Sequence, residues 1–165
     1  MRRILLVLTC SLLTAACGAP QKQDASNVAP TAEAKAETPA QKCLAIAGAQ
    51  RERKPNEPAK VGVRHVLVKY QGAKNAPETI TRTREEACLR AMEARDKMLA
   101  GADFDDVVKT YSDEAGAADR RGVVGVLERR EMAPPFADAA MELTVGQMSD
   151  VVETEFGFHL ILRNE

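Results

Sequence analysis

The chain holds two histidines, one near each end of a single stretch and each inside a short apolar run. His65 lies in Val63-Arg64-His65-Val66-Leu67-Val68, and His159 in Gly157-Phe158-His159-Leu160-Ile161-Leu162-Arg163. Imidazole titrates near neutral pH, and burying it in a sheet is costly unless a partner satisfies it. Two strands that each carry one ring can pair and let the rings satisfy each other. Two histidines alone are too few for an ordinary zinc site.

The elements that must position those rings are legible from periodicity. Val63 to Lys69 alternates as a strand, with Val63, His65 and Leu67 on one face and Val66 and Val68 on the other. Apolar residues on both faces indicate an inner strand. Thr83-Arg84-Glu85-Glu86 is a capping box that opens a helix, with Ala87, Ala91, Ala94 and Met98 at helical spacing and Gly101 ending it. A second helix starts near Asp103, with Phe104, Val107, Val108 and Tyr111 as its stripe. Val123 to Leu127 is a short strand, and Pro134-Pro135 opens a helix carrying Phe136, Ala139, Ala140 and Leu143. Val151 to Thr154 and Phe158 to Arg163 form a closing hairpin. The expected order is β-α-α-β-α-β-β, an α+β domain with a small sheet.

The remaining sequence bounds the setting. Met1-Arg2-Arg3 is basic, Ile4 to Leu13 is apolar and too short to span a bilayer, and Leu13-Thr14-Ala15-Ala16-Cys17 follows. Residues 1–16 read as a secretory signal, and the cysteine resembles that of a bacterial lipobox, with Thr14 where Leu is most usual. The expectation is acylation of Cys17 and a membrane anchor, since each buried methylene contributes about 0.8 kcal/mol. Gly18, where an aspartate would signal retention in the inner membrane, favours the periplasmic face of the outer membrane in a Gram-negative cell. Residues 17–60 read as a lipidated start and a mostly disordered linker. Gly18 to Gln41 carries no large apolar residue but Val28, too little to offset ordering entropy.

The 23 Lys and Arg fall to 21 without Arg2 and Arg3, against 24 Asp and Glu, so nucleic acid is not an expected partner. Residues 61–165 suffice for one compact domain, expected as a monomer. Cys43 and Cys88 remain in an oxidising compartment. They either form a disulfide, worth at most about 4 kcal/mol in the chain-entropy model, or stay buried thiols. The disulfide is the expectation.

Five blocks together resemble the parvulin-type peptidyl-prolyl isomerases, over about Val61 to Glu165. Arg64-His65-Val66-Leu67-Val68-Lys69 is similar to the family's opening strand, and Ile80-Thr81-Arg82-Thr83-Arg84-Glu85-Glu86-Ala87 to the start of its first helix. Tyr111-Ser112-Asp113 is similar to the turn after its second helix, and Glu131-Met132-Ala133-Pro134-Pro135-Phe136 to its methionine and phenylalanine block. Thr154-Glu155-Phe156-Gly157-Phe158-His159-Leu160-Ile161 is similar to its closing hairpin.

The resemblance implies an FKBP-like superfold, a twisted four-stranded antiparallel sheet surrounded by helices. It also implies cis/trans rotation about the bond before proline in polypeptide clients, with no cofactor and no metal. It implies that Met132 and Phe136 grip the proline ring, that Val124 and Leu127 complete the wall, and that Phe156 stands beside the final histidine. His65 and His159 would form the coupled pair at the floor. Glu114 stands where the eukaryotic members carry Cys and many bacterial ones Asp. Val123-Val124 replaces the common Asp-Leu between two glycines, Leu127 replaces an aromatic, and Phe156 a small or polar residue. The loop Gln71 to Thr79 offers Lys74 alone as a cation, with Lys69 ahead of it, so no preference for phosphoserine-proline is expected.

Overall fold

The computed structural model describes residues 36–165. The signal segment, Cys17 and the start of the expected linker lie outside the described residues.

Four strands form one antiparallel sheet: β1 (Lys60–Val68), β2 (Val123–Glu128), β3 (Val152–Thr154) and β4 (Gly157–Arg163), in the spatial order β2-β1-β4-β3. Four helices pack around it: α1 (Pro39–Ala47), α2 (Arg84–Leu99), α3 (Phe104–Tyr111) and α4 (Pro134–Glu142). A single 3-10 turn, Arg129–Glu131, leads into α4. From β1 onward the order is the one that periodicity indicates. β1 is an inner strand, paired with both β2 and β4.

The two faces of β1 serve two cores. Val66 and Val68, with Phe158 and Leu160 of β4, pack under α2 and α3. Val61 and Val63, with Ile161 of β4 and Val152 of β3, pack against Phe136, Ala139 and Ala140 of α4. Because side chains alternate along a strand, His65 and Leu67 continue the α4 face. The caps match their sequence signals. Thr83 Oγ1 accepts the Glu86 N–H, and Glu86 reaches back to the Thr83 N–H. Asp103 accepts from Asp105 and Asp106 at the start of α3. Pro134 and Pro135 open α4, where a missing N–H costs no helical bond.

One expectation needs correction. The linker expected over 17–60 is helical from Pro39 to Ala47. Thr38 and Gln41 form a capping box, and Pro39 takes the first position, so the residues that read as linker composition are also an N-terminal helix signal. A nine-residue helix is marginal alone. This one is held by the Cys43–Cys88 disulfide to α2, with both sulfur-bearing residues fully buried.

Two glycines allow the close approaches that shape the site. A Cβ on Gly122 (φ 70°) would lie 2.5 Å from the His65 carbonyl oxygen, and one on Gly157 (φ 135°) 2.5 Å from that of Val68. Only glycine takes those dihedrals in so little space.

Candidate active site

The strand register brings the two histidines together. In the β1–β4 ladder His65 faces Ile161 and Leu67 faces His159, so the histidines are diagonal neighbours on one face. Their Nδ1 atoms are 3.2 Å apart, the rings are nearly parallel, and both residues are buried. Phe136 of α4 stands edge-on to both, 5.7 Å from the His65 ring and 5.2 Å from that of His159.

The pair sits inside a longer row. His65 Nε2 is 2.8 Å from Glu114 Oε2, and His159 Nε2 is 2.7 Å from Thr154 Oγ1. The Phe156 N–H donates to the same Thr154 oxygen at 3.1 Å. Glu114 also pairs with Arg120. The hydrogen bond from His65 and the Arg120 charge hold the Glu114 carboxyl below its ordinary value, against the opposing effect of burial. Burial, and then the neighbouring His65, pushes His159 well below the ordinary histidine value, so its ring is neutral.

An ionised Glu114 requires a proton on His65 Nε2. With His65 neutral, its Nδ1 then accepts from His159 Nδ1–H, and His159 Nε2 accepts from the Thr154 hydroxyl. Every bond in the row then points the same way, from the Phe156 amide to Glu114. Protonating His65 on Nδ1 would reverse the two central bonds.

The turn that presents Glu114 is stitched to β1. The Leu67 N–H donates to Ser112 Oγ at 3.2 Å, the Lys69 N–H to Asp113 Oδ2 at 2.8 Å, and the Asp113 N–H to the Leu67 carbonyl at 2.7 Å. Above the row lies a cavity of about 490 Å³. All eight residues singled out from the sequence line it: His65, His159, Glu114, Met132, Phe136, Val124, Leu127 and Phe156. Phe136 also belongs to the core beneath α4, so it serves packing and wall together. Leu67, Lys69, Asn75 and Thr154 line the cavity as well and were not singled out. Thr154 gains its meaning from the register. In the hairpin Val152 faces His159 and Thr154 faces Gly157, which puts the hydroxyl diagonal to the ring.

Lys69, which lines the cavity, and the cations that follow it in sequence through Arg84 are engaged with partners. Lys74 Nζ pairs with Glu155 at 2.6 Å and lies over the Phe156 ring. Lys69 Nζ donates to the Asn75 carbonyl at 2.8 Å. Arg82 pairs with Asp113, and Arg84 binds Glu153 through two nitrogens. Among the described residues no group of three or more His, Cys, Asp or Glu could hold a metal ion.

The rotamase family model, the PPIC-type PPIase domain, matches residues 65–165. A peptidyl-prolyl cis-trans isomerase of Malus domestica is 41% identical over 108 residues, covering 60% of this chain and 88% of that protein. The chaperone SurA of Alcanivorax borkumensis is 33% identical over 100 residues, covering 60% of this chain but 21% of that protein. Among solved structures, the peptidyl-prolyl isomerase ESS1 from Candida albicans aligns with a TM-score of 0.61 and 32% identity. The alignment covers 67% of this chain and 65% of that one.

Proposed function

This chain belongs to the PPIC-type peptidyl-prolyl cis/trans isomerases, and from that premise we propose that it works as a membrane-anchored isomerase assisting the folding of exported proteins. The observation that carries the catalytic part is the cavity with Met132 and Phe136 in its wall and the His65–His159 pair at its floor.

Rotation about a peptide bond destroys amide resonance, and at an X–Pro bond it takes tens to hundreds of seconds unaided. No covalent bond is made or broken, so the protein must bind the twisted amide more tightly than the planar one. Each tenfold in rate needs about 1.4 kcal/mol of that difference. Met132, Phe136, Val124 and Leu127 offer an apolar wall for the pyrrolidine ring. The hydrogen-bonded row from Phe156 to Glu114 offers polar groups beside it. These suit a carbonyl that regains ketone character as the nitrogen loses conjugation. Glu114 adds a negative charge at the edge of the cavity.

Support for the anchor is the sequence Leu13-Thr14-Ala15-Ala16-Cys17. In a Gram-negative host, Cys17→Ala should move the protein from the membrane to the soluble fraction. Retention in the membrane would refute the lipid anchor. For the activity, a protease-coupled assay should show turnover of Glu-Pro and Ala-Pro peptides at comparable rates, with no gain from phosphoserine before proline. Bidentate phosphate capture needs an arginine fork, and Arg82 and Arg84 are committed to carboxylates.

A second reading has its own support. Val123, Leu127 and Phe156 stand where the family commonly carries Asp, an aromatic and a small or polar residue, and Leu127 and Phe156 line the cavity. That suits a catalytically weak holder of extended chains. Absence of peptide turnover together with binding of an unfolded protein would favour it.

A further inference from the structure

β2 is an edge of the sheet, with β1 as its one neighbour. The Gly62 N–H donates to the Glu165 carbonyl, and the Gly62 carbonyl accepts from the Asn164 N–H. Both Gly62 groups therefore point away from β2. Its register partner Val126, in an antiparallel pair, must then point its own N–H and C=O out of the sheet. The side chains there are also open: Val123 and Val124 are each 40% exposed and Val126 51%. Soluble proteins usually guard such an edge with charge or proline. Along Val123-Val124-Gly125-Val126-Leu127 there is neither, the one charge of β2 being Glu128 at its end, paired with Lys60 and Arg130, and the ladder with β1 shifts register between Val63 and Arg64. The strand is also continuous with the cavity, because Val124 and Leu127 belong to its wall.

We propose that β2 is a docking strand for the client: an unfolded polypeptide whose apolar residues flank the proline lies extended along the Val126 edge while the proline occupies the cavity. The proposal rests on the isomerase reading of that cavity and adds what the client must be beyond the X–Pro bond. Main-chain hydrogen bonds at the edge ask for no particular sequence, and the valines ask for apolar neighbours. A short peptide would fill the cavity and miss the strand.

The test compares the full chain with its Val126→Lys and Leu99→Lys variants, Leu99 being an exposed apolar side chain at the end of α2. Binding is read by anisotropy with a labelled, reduced and carboxymethylated proline-containing protein, and turnover with an Ala-Pro tetrapeptide. Val126→Lys should weaken binding of the unfolded protein by about fivefold while tetrapeptide turnover and thermal unfolding stay as in the parent. Leu99→Lys should change none of these. If the lysine variant unfolds, Val126→Thr should lower binding in the same direction.

Unchanged binding in Val126→Lys overturns the proposal, as do equal losses in the two lysine variants or a parallel loss of tetrapeptide turnover. A concentration-dependent dimer that Val126→Lys abolishes also overturns it, giving the edge to a second copy of the chain. A parent inactive on the tetrapeptide refutes the isomerase reading, while the binding comparison still decides the role of β2.

Discussion

A buried, neutral His159 is a first source of acid sensitivity. The unfolded chain takes up a proton near the ordinary histidine value of 6.5, and the folded chain does so only at much lower pH. Between those values the unfolded state holds more protons. Stability should therefore fall as pH drops below about 6.5, by up to about 1.4 kcal/mol per unit from this group. Urea denaturation at several pH values should show that slope, and His159→Gln should flatten it. Glu114 acts later on acidification. Its contribution is complete above the ordinary carboxylate value and is lost as pH falls through its lowered folded value. Thr154→Val should cost about 1–3 kcal/mol in the same assay, because it leaves His159 Nε2 and the Phe156 N–H without their partner, whereas Thr154→Ser should cost less. Met132→Ala should lower kcat/KM on an Ala-Pro peptide by about tenfold, since the half-buried thioether gives more to the cavity than to the core. The histidines, Met132 and Phe136 were legible because their chemistry is rare in such runs or their block is distinctive. Thr154 and Arg120 were not, because a threonine or an arginine gains meaning only once register and loop path say what it faces.

At the scale of elements, one guanidinium ties three pieces of chain together behind the cavity. Arg129, in the 3-10 turn, binds both Glu57 carboxylate oxygens at 2.8 and 2.5 Å and also pairs with Asp138 of α4. Met132 follows three residues later, so this clamp sets where the turn delivers it. Arg129→Lys keeps the charge and loses the fork. KM for an Ala-Pro peptide should rise severalfold with kcat nearly unchanged, and Arg129→Met should raise it further. A fall in kcat alone would assign the clamp to the chemistry rather than to positioning. Glu57 precedes β1, in a stretch whose composition read as linker, and nothing in sequence spacing pairs it with a residue 72 positions away. β1, β3 and β4 were legible because their apolar runs are buried, α2 and α3 because a side-chain cap precedes a buried stripe, and α4 because Pro134 and Pro135 open it; β2 was legible as an apolar run, although the fold leaves most of it exposed. Helix α1 was not, because its capping box and Pro39 mark only a start, and nine residues stay helical through a covalent bond and packing.

For the whole molecule, the Cys43–Cys88 bridge joins the segment before β1 to the helix after it, across 45 positions. Adding a reductant, or Cys88→Ala, should lower stability by at most about 4 kcal/mol, measured as a shift of the urea midpoint. The site residues all follow Pro58 in sequence, so peptide turnover by the reduced protein at low temperature should persist. Residues Ala36–Glu165 form one compact unit, and the family match covers less of it, starting at residue 65 in the middle of β1. A recombinant fragment cut where the match begins would discard the fully buried Val61 and Val63 and strand Arg129 and Cys88 without Glu57 and Cys43. Anyone producing this protein should place the first codon by the fold, ahead of Thr38, and express it where cysteines oxidise.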